Sequence, residues 1–267
     1  MTVRVAMHGA AGRMGRAILL VLRDHPDATA VAALEDASSP LVGQDVGVLG
    51  GGAPVGLEVT SDVEAALDGC DVVIDFSVPM ATEKLLRACA DRRKAAVVGT
   101  TGLTDEGRRA VDALAEVAPV VQAPNFSQGV TLLFQLAALA AERLGPAFDA
   151  EVVEMHHRMK VDAPSGTALR LAEEVARAKQ LDPAKDLVRE RDGHVGPRTD
   201  HEVGVMTLRG GDVVGEHTLV LAGVGERVEL THRATDRAIF ARGAVRAATW
   251  AASQAPGAYD MTHVMGF

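Results

Sequence analysis

Aromatic side chains make up only 3% of this 267-residue sequence, so its core has to be built from alanine, valine and leucine. Cysteine is almost as scarce. Cys70 and Cys89 form no Cys-x-x-Cys pair, which excludes a disulfide framework and suits a reducing compartment. There is no basic excess: the net charge of −9 argues against nucleic acid or an anionic membrane as a partner, since either favours a positive field. No apolar run is long enough to span a bilayer. The most apolar helical stretch, Val130 to Leu144, is short and is broken by Gln135 and Glu142. No charged-then-apolar leader is expected at the start, where Thr2 runs straight into a strand-like pattern. The expectation is a cytoplasmic protein with no nucleic-acid and no membrane partner. What is present is ample core, with 48% hydrophobic against 24% charged residues, enough for one large domain or two small ones.

The first half alternates strand and helix. Val3 to His8 reads as a buried strand, Gly9 to Gly15 as a glycine-rich turn, Arg16 to Leu22 as a helix, and Ala28 to Leu34 as a second strand ending in Glu35 and Asp36. Glycines at the first turn of such a unit let the backbone approach a pyrophosphate at the helix N-terminus. An acid about 20 residues further on is placed for the ribose hydroxyls. The glycine pattern departs from G-x-G-x-x-G, because Ala10 stands where the second glycine would be and the spacing is G-x-x-G-x-x-G. Three more pairs follow: strands over Asp71–Ser77, Ala95–Gly102 and Pro119–Ser127, and helices over 62–67, 80–91 and 104–118, the last capped by Thr104. This alternation predicts a doubly wound parallel sheet that binds its ligand at the carboxyl ends of the strands. Gly9, Asp75 to Ser77, Gly99 to Thr101 and Ala123 to Phe126 would gather on that rim. Residues 36–54, dense in glycine and proline, read as a surface loop.

Beyond Ser127 the pattern changes. A helix over 130–144 leads into a strand from Glu151 to His156. Asp162 to Thr167 then breaks the strand and starts a helix at Ala168, with Ser165 or Thr167 as its cap. His156, His157, Arg158 and Lys160 stand immediately before this turn, whose backbone N–H groups can hold an anion. Singly each is an ordinary surface or structural residue; together they suit a carboxylate substrate. His156 and His157 would point to opposite faces of a strand and no third ligand has metal spacing, so no metal is expected. After a polar loop over 182–200 come three strands, 201–208, 216–222 and 226–232, giving an α+β half with a mixed sheet. Val203, Val205 and Leu219 are expected on an outer face that could serve as an oligomer surface. A final helix, 237–253, is expected to return to the first domain. The boundaries drawn are therefore 1–127, 128–236 and 237–267.

These residues resemble the 4-hydroxy-tetrahydrodipicolinate (dihydrodipicolinate) reductases of the diaminopimelate branch of lysine biosynthesis. The likeness rests on Val5 to Gly15, Asp75 to Ser77, Val98 to Gly102, Asn125 to Ser127, Val213 to His217 and above all Glu154 to Ala168, and it spans essentially the whole chain. The resemblance implies a Rossmann-like nucleotide domain, a substrate domain whose sheet builds a homotetramer, and hinges that close the two on the ligand. It implies His156 as proton donor with Lys160 assisting. His157, Ser165, Gly166, Thr167 and Thr101 would bind a small dicarboxylate. Gly9, Ala10, Ala11, Gly12, Arg13, Met14, Glu35, Asp36, Gly99, Thr100, Thr101, Ala123, Pro124, Asn125 and Phe126 would bind the cofactor.

The family often carries a basic residue after the Glu35 position, suited to the 2′-phosphate of NADPH. Here Asp36 stands there, so the expectation is NADH in preference to NADPH, with Arg13 or Arg16 able to soften it. Two other functions compete with this one. A different nicotinamide-dependent dehydrogenase of a small amino or keto dicarboxylate is disfavoured by the His-His-x-x-Lys block. A nucleotide-sensing regulator with a dead site would be expected to lack His156 or Lys160.

Overall fold

The computed structural model describes residues Met1–Phe267, which form two compact units: Met1–Gln128 with Ala238–Phe267, and Gly129–Arg237.

The chain opens with β1 (Val3–His8), α1 (Arg13–Arg23) and β2 (Ala28–Leu34). It continues through α2 (Val46–Leu49), β3 (Val59–Thr60), α3 (Val63–Gly69), β4 (Val72–Asp75), α4 (Pro79–Arg92), β5 (Ala95–Val98), α5 (Asp105–Ala115) and β6 (Pro119–Gln122). The second unit is built from α6 (Gln128–Leu144), β7 (Asp149–His156), α7 (Gly166–Ala178), β8 (Leu187–Val188), β9 (Val203–Arg209), β10 (Gly215–Gly223) and β11 (Glu226–Ala234). The last segment, α8 (Ala238–Ala251), β12 (Gly257–Tyr259) and α9 (Met261–Met265), completes the first unit.

The first unit is a seven-stranded sheet in the order β12-β6-β5-β4-β1-β2-β3, parallel throughout. Its central strands are apolar along their whole length because both faces are covered. One face packs Val5, Met7 and Ile74 with α1 and α8; the other packs Ala6, Val73 and Val98 with α3, α4 and α5. Helix α8 is dense in alanine, which lets it lie close to the sheet. The order of β3-β2-β1-β4-β5-β6 is the doubly wound arrangement whose chain reversal lies between β1 and β4.

In the second unit the sheet order is β11-β10-β7-β9-β8. β7, β9 and β8 are parallel, and β10 is antiparallel to both of its neighbours. One face is covered by α6 and α7 around Leu133, Phe134, Leu171 and Val175.

Four expectations are corrected. Val203, Val205 and Leu219 lie on the covered face, fully buried against the helices, so they do not form an outer surface. The other face carries Val153, Met155, Met206 and Leu208 of β7 and β9, with Val220 of β10, and Leu208 is half exposed. The glycine-rich loop contains α2, which forms because Asp45 caps it by accepting from the Gly47 and Val48 amides. The polar loop contains β8, and the residues after α8 add both β12 and α9.

Candidate active site

At the rim of the first unit, β1 ends in His8 and the chain turns through Gly9. Gly9 has φ +78°, and a Cβ there would run into the Phe76 carbonyl. Gly15 lies so close to the Gly9 carbonyl and the Ala10 backbone that it too has no room for a side chain. The turn is thereby pressed flat onto the start of α1. Gly12, the N-cap of α1, offers no side chain to satisfy the first amides of the helix, which leaves them to a ligand. Arg13 and Met14 form that first turn. Glu35 reaches across from the end of β2 and accepts from the Ala11 amide at 2.8 Å. An uncapped 11-residue helix, a side-chain-free approach and a fixed carboxylate fit the pyrophosphate and ribose of a dinucleotide. A cavity of about 850 Å³ opens at this rim, lined by His8, Gly9, Gly12, Glu35, Asp36 and Phe76 together with residues of α3 and α4.

Beneath the rim, where Asp75 to Ser77 were expected, sits a buried polar knot. Asp75 is fully buried. It accepts from Ser77 and Thr82 hydroxyls, each at 2.6 Å, and from Thr100 at 2.8 Å, and it lies 2.6 Å from Nδ1 of His8. Burial opposes its charge, but the bonds from His8, Ser77 and Thr82 outweigh that and hold its pKa below the ordinary aspartate value. Since the carboxylate can only accept, Nδ1 of His8 carries the hydrogen. Thr100 also accepts from the Ser77 amide, which ties the loops after β4 and β5 together.

Several residues expected at the cofactor are present through their backbone rather than their side chains. Ala10, Ala123 and Phe126 are buried, and Phe126 packs its ring 5.5 Å from that of Phe76. Gly99 is required where it stands, because a Cβ would strike the Phe76 ring. Thr101 and Pro124 are exposed, and Asn125 accepts from the Ser127 amide. Arg16 is engaged by the carbonyls of Ala11 and Leu49.

In the second unit, strand pairing assembles the reactive side chains in two rows. Register sets Glu154 opposite Thr207 on β9 and His217 on β10, and sets His156 opposite Arg209. Glu154 is fully buried and accepts four hydrogen bonds. His156 Nδ1 (2.6 Å) and Arg209 (2.9 Å) meet one oxygen, and the Ser165 amide (3.0 Å) and Thr207 hydroxyl (3.2 Å) meet the other. Burial resists its ionisation, yet Arg209, His156 and Ser165 overcome it and hold its pKa below the usual glutamate value. The anion fixes His156 as the Nδ1–H tautomer and leaves Nε2 to carry the reactive proton. Burial pulls the His156 pKa down and Glu154 pulls it back only in part.

Ser165 caps α7, accepting from the Ala168 amide at 3.1 Å, and its hydroxyl lies 3.2 Å from Nε2 of His217. Gly166 and Thr167 therefore present the opening amides of a 13-residue helix. His157 faces Arg237, whose guanidinium donates to His157 Nε2 at 3.3 Å, and Lys160 is held by Asp162 at 2.8 Å. Arg158 is exposed, and its amide donates to Gly211. Glu154, Arg209, His217 and Arg237 were not selected from sequence. Glu154 and His217 lay inside quoted motifs. Arg209 was visible only through the pairing of β7 with β9, and Arg237 only through the folded return of the chain.

The families described as dihydrodipicolinate reductase, N-terminus, and dihydrodipicolinate reductase, C-terminus, match residues 3–126 and 129–265. The 4-hydroxy-tetrahydrodipicolinate reductase of Thiobacillus denitrificans is 52% identical over 266 residues, covering 100% of this chain and 99% of that one. The enzyme of the same name from Syntrophotalea carbinolica is 48% identical over 264 residues, covering 99% of each chain. Among solved structures, a dipicolinate-bound dihydrodipicolinate reductase from Paenisporosarcina sp. TG-14 superposes with a TM-score of 0.78 at 25% identity, covering 97% of this chain and 98% of that one.

Proposed function

The chain belongs to the dihydrodipicolinate reductase family, and from that premise we propose how its own residues divide the work of the reaction. It is an NAD(P)H-dependent oxidoreductase that reduces 4-hydroxy-tetrahydrodipicolinate, by way of dihydrodipicolinate, to tetrahydrodipicolinate on the diaminopimelate route to lysine. The observation that carries the assignment of roles is the buried Glu154 carboxylate holding His156 by Nδ1 beside the capped start of α7.

The reduction adds a hydride at one ring carbon and a proton elsewhere on the ring. A bound nicotinamide supplies the hydride. For that cofactor the first unit offers the amides of α1, Glu35 and the backbones of Gly99 to Thr101 and Ala123 to Phe126. In the second unit, the amides of Gly166 and Thr167, the side chain of His157 and the guanidinium of Arg237 hold the two substrate carboxylates. The dipicolinate bound by the Paenisporosarcina relative, a flat ring with two carboxylates, supports such a pair of anion subsites. His156 gives the proton from Nε2. Its depressed pKa leaves it short of charge before substrate arrives, and the incoming dianion favours the imidazolium that it needs. Lys160 is the second proton donor, and its 2.8 Å bond to Asp162 holds the side chain in place.

The cofactor preference is for NADH. Asp36 directly follows Glu35 and its carboxylate is locked by the amide and hydroxyl of Ser38, so a fixed negative charge faces the ribose position. The assembly is a homotetramer built on the uncovered sheet face with Val153, Met155, Met206, Leu208 and Val220. The compartment is the cytoplasm, which suits two buried free thiols. The deciding experiment generates 4-hydroxy-tetrahydrodipicolinate in a coupled reaction and follows loss of reduced nicotinamide. Oxidation dependent on both enzyme and substrate is expected, and its absence refutes the assignment.

A further inference from the structure

Around the nucleotide cavity every carboxylate has a partner and the one lysine ammonium has none. Glu35 spends one oxygen on the Ala11 amide and the other on the Asp36 amide, at 2.8 and 3.3 Å. Asp36 accepts from the Ser38 amide at 2.9 Å and from its hydroxyl at 2.6 Å. Glu64 is ion-paired with Arg92. His8 has its Nδ1 committed to Asp75. Lys84 lines the same cavity and makes no hydrogen bond or ion pair.

Its position follows from the helix. Met80, Ala81, Lys84, Leu85 and Ala88 recur at helical spacing on α4, and all of them line the cavity. The stripe is apolar apart from Lys84, so one flexible cation rises from a wall that otherwise suits a base. Asp36 stands on the cavity wall supplied by the loop after β2. Asp36 is held below the ordinary aspartate pKa by Ser38 first and by the charge of Lys84 in smaller part, so the two residues share one electrostatic neighbourhood.

We propose that Lys84 is the phosphate ligand of this cavity and supplies, from α4, the cation that recognises the 2′-phosphate of NADPH. The inference rests on the cofactor reading above and refines it. The loop after β2 repels the phosphate through Asp36, while the opposing helix attracts it. NADPH is then accepted, though less well than in a site where a guanidinium grips the phosphate from the β2 loop, because an ammonium is a single point charge on a mobile stem.

The test measures binding without turnover. Titration calorimetry compares adenosine 2′,5′-bisphosphate with 5′-AMP on the full chain and on Lys84→Met and Lys84→Arg. Because Lys84 is exposed, neither substitution disturbs the core. Lys84→Met is expected to lower the affinity ratio of bisphosphate to AMP by about tenfold, the worth of one charge-assisted hydrogen bond at its weaker end, and Lys84→Arg to restore it. The ratio of kcat/KM for NADPH over NADH should fall in parallel. If wild type binds 5′-AMP and the ratio does not change in Lys84→Met, the role of Lys84 is overturned and the cofactor site stands. If wild type binds neither nucleotide, the cofactor site itself fails, and this inference with it.

Discussion

Nδ1 of His156 lies 2.6 Å from a Glu154 carboxylate that has no exposure to solvent. The two residues are two apart on β7 and so share a face, and the glutamate is anchored from three further directions before it reaches the imidazole. Glu154 therefore sets both the tautomer and the proton affinity of His156. Glu154→Gln removes the charge that raises the His156 pKa while burial still lowers it. The falling limb of the kcat/KM profile, where the donor loses its proton, is expected to move to lower pH. His156→Gln should lower kcat by roughly 10²–10⁴ and abolish that limb. In both variants the affinity for the nicotinamide nucleotide should stay near wild type. A profile for Glu154→Gln superposable on wild type would remove Glu154 from this positioning role.

Gly215 has an extended role that its backbone angles do not reveal. A Cβ added there would come within 2.9 Å of His156 Nε2, the atom assigned the reactive proton. The ring is the movable partner, so Gly215→Ala should fold normally and displace the imidazole. Misplacement of a reacting group by about 1 Å can cost on the order of 10²-fold in rate. The expected result is a loss of that order in kcat with a melting temperature close to that of wild type. Equal losses in both would mean that the sheet, not the ring, had yielded.

Much of this architecture was legible in the sequence, for reasons that can be named. β1 and β2 were read at their observed limits because each is an apolar run bounded by turn residues, and the glycines between them left one way to connect strand and helix. Thr104 as a cap was legible because its signal is local. The burial of Asp75 was not, since an Asp-Phe-Ser turn at a strand end looks alike whether the carboxylate faces water or His8, Thr82 and Thr100. Nor was the orientation of the second sheet. Alternation along β9 and β10 shows that Val203, Val205 and Leu219 share a face, but which face the helices cover depends on where α6 and α7 pack. Arg209 joins the site only through the register of β7 with β9, a relationship 53 residues apart in sequence for the pair His156 and Arg209 (209 − 156). Lys84 was silent because a lone lysine on a helix is ordinary until the opposing wall is known.

Ser165 serves two masters, the helix and the site. Its hydroxyl caps the Ala168 amide, and loss of such a cap costs about 1 kcal/mol. It also orders the turn that presents the Gly166 and Thr167 amides to a carboxylate. Ser165→Ala should lower stability by about that amount and raise KM for substrate more than it lowers kcat, because the proton donor is left in place. Steady-state kinetics beside chemical denaturation would separate the two effects. A drop in kcat at unchanged KM would instead place the hydroxyl in the chemical step.

His217 ties stability to pH. It is 4% exposed, and burial, with His156 nearby, brings its pKa down from 6.5 to about 4. Between these values the unfolded chain binds a proton that the folded chain does not, so stability rises with pH across this window and is lost as pH falls from about 6.5 towards 4. Taken alone, the shift amounts to roughly 2 kcal/mol between pH 7 and pH 5. Its Nδ1 is buried with no partner, so the folded state has nothing in place to welcome the added charge. His217→Gln cannot take up that proton in either state. Its urea midpoint should therefore change less than that of wild type between pH 7 and pH 5, even though the variant begins less stable through loss of the contact with Ser165. Parallel pH dependences for the two proteins would show that another group controls the acid limb.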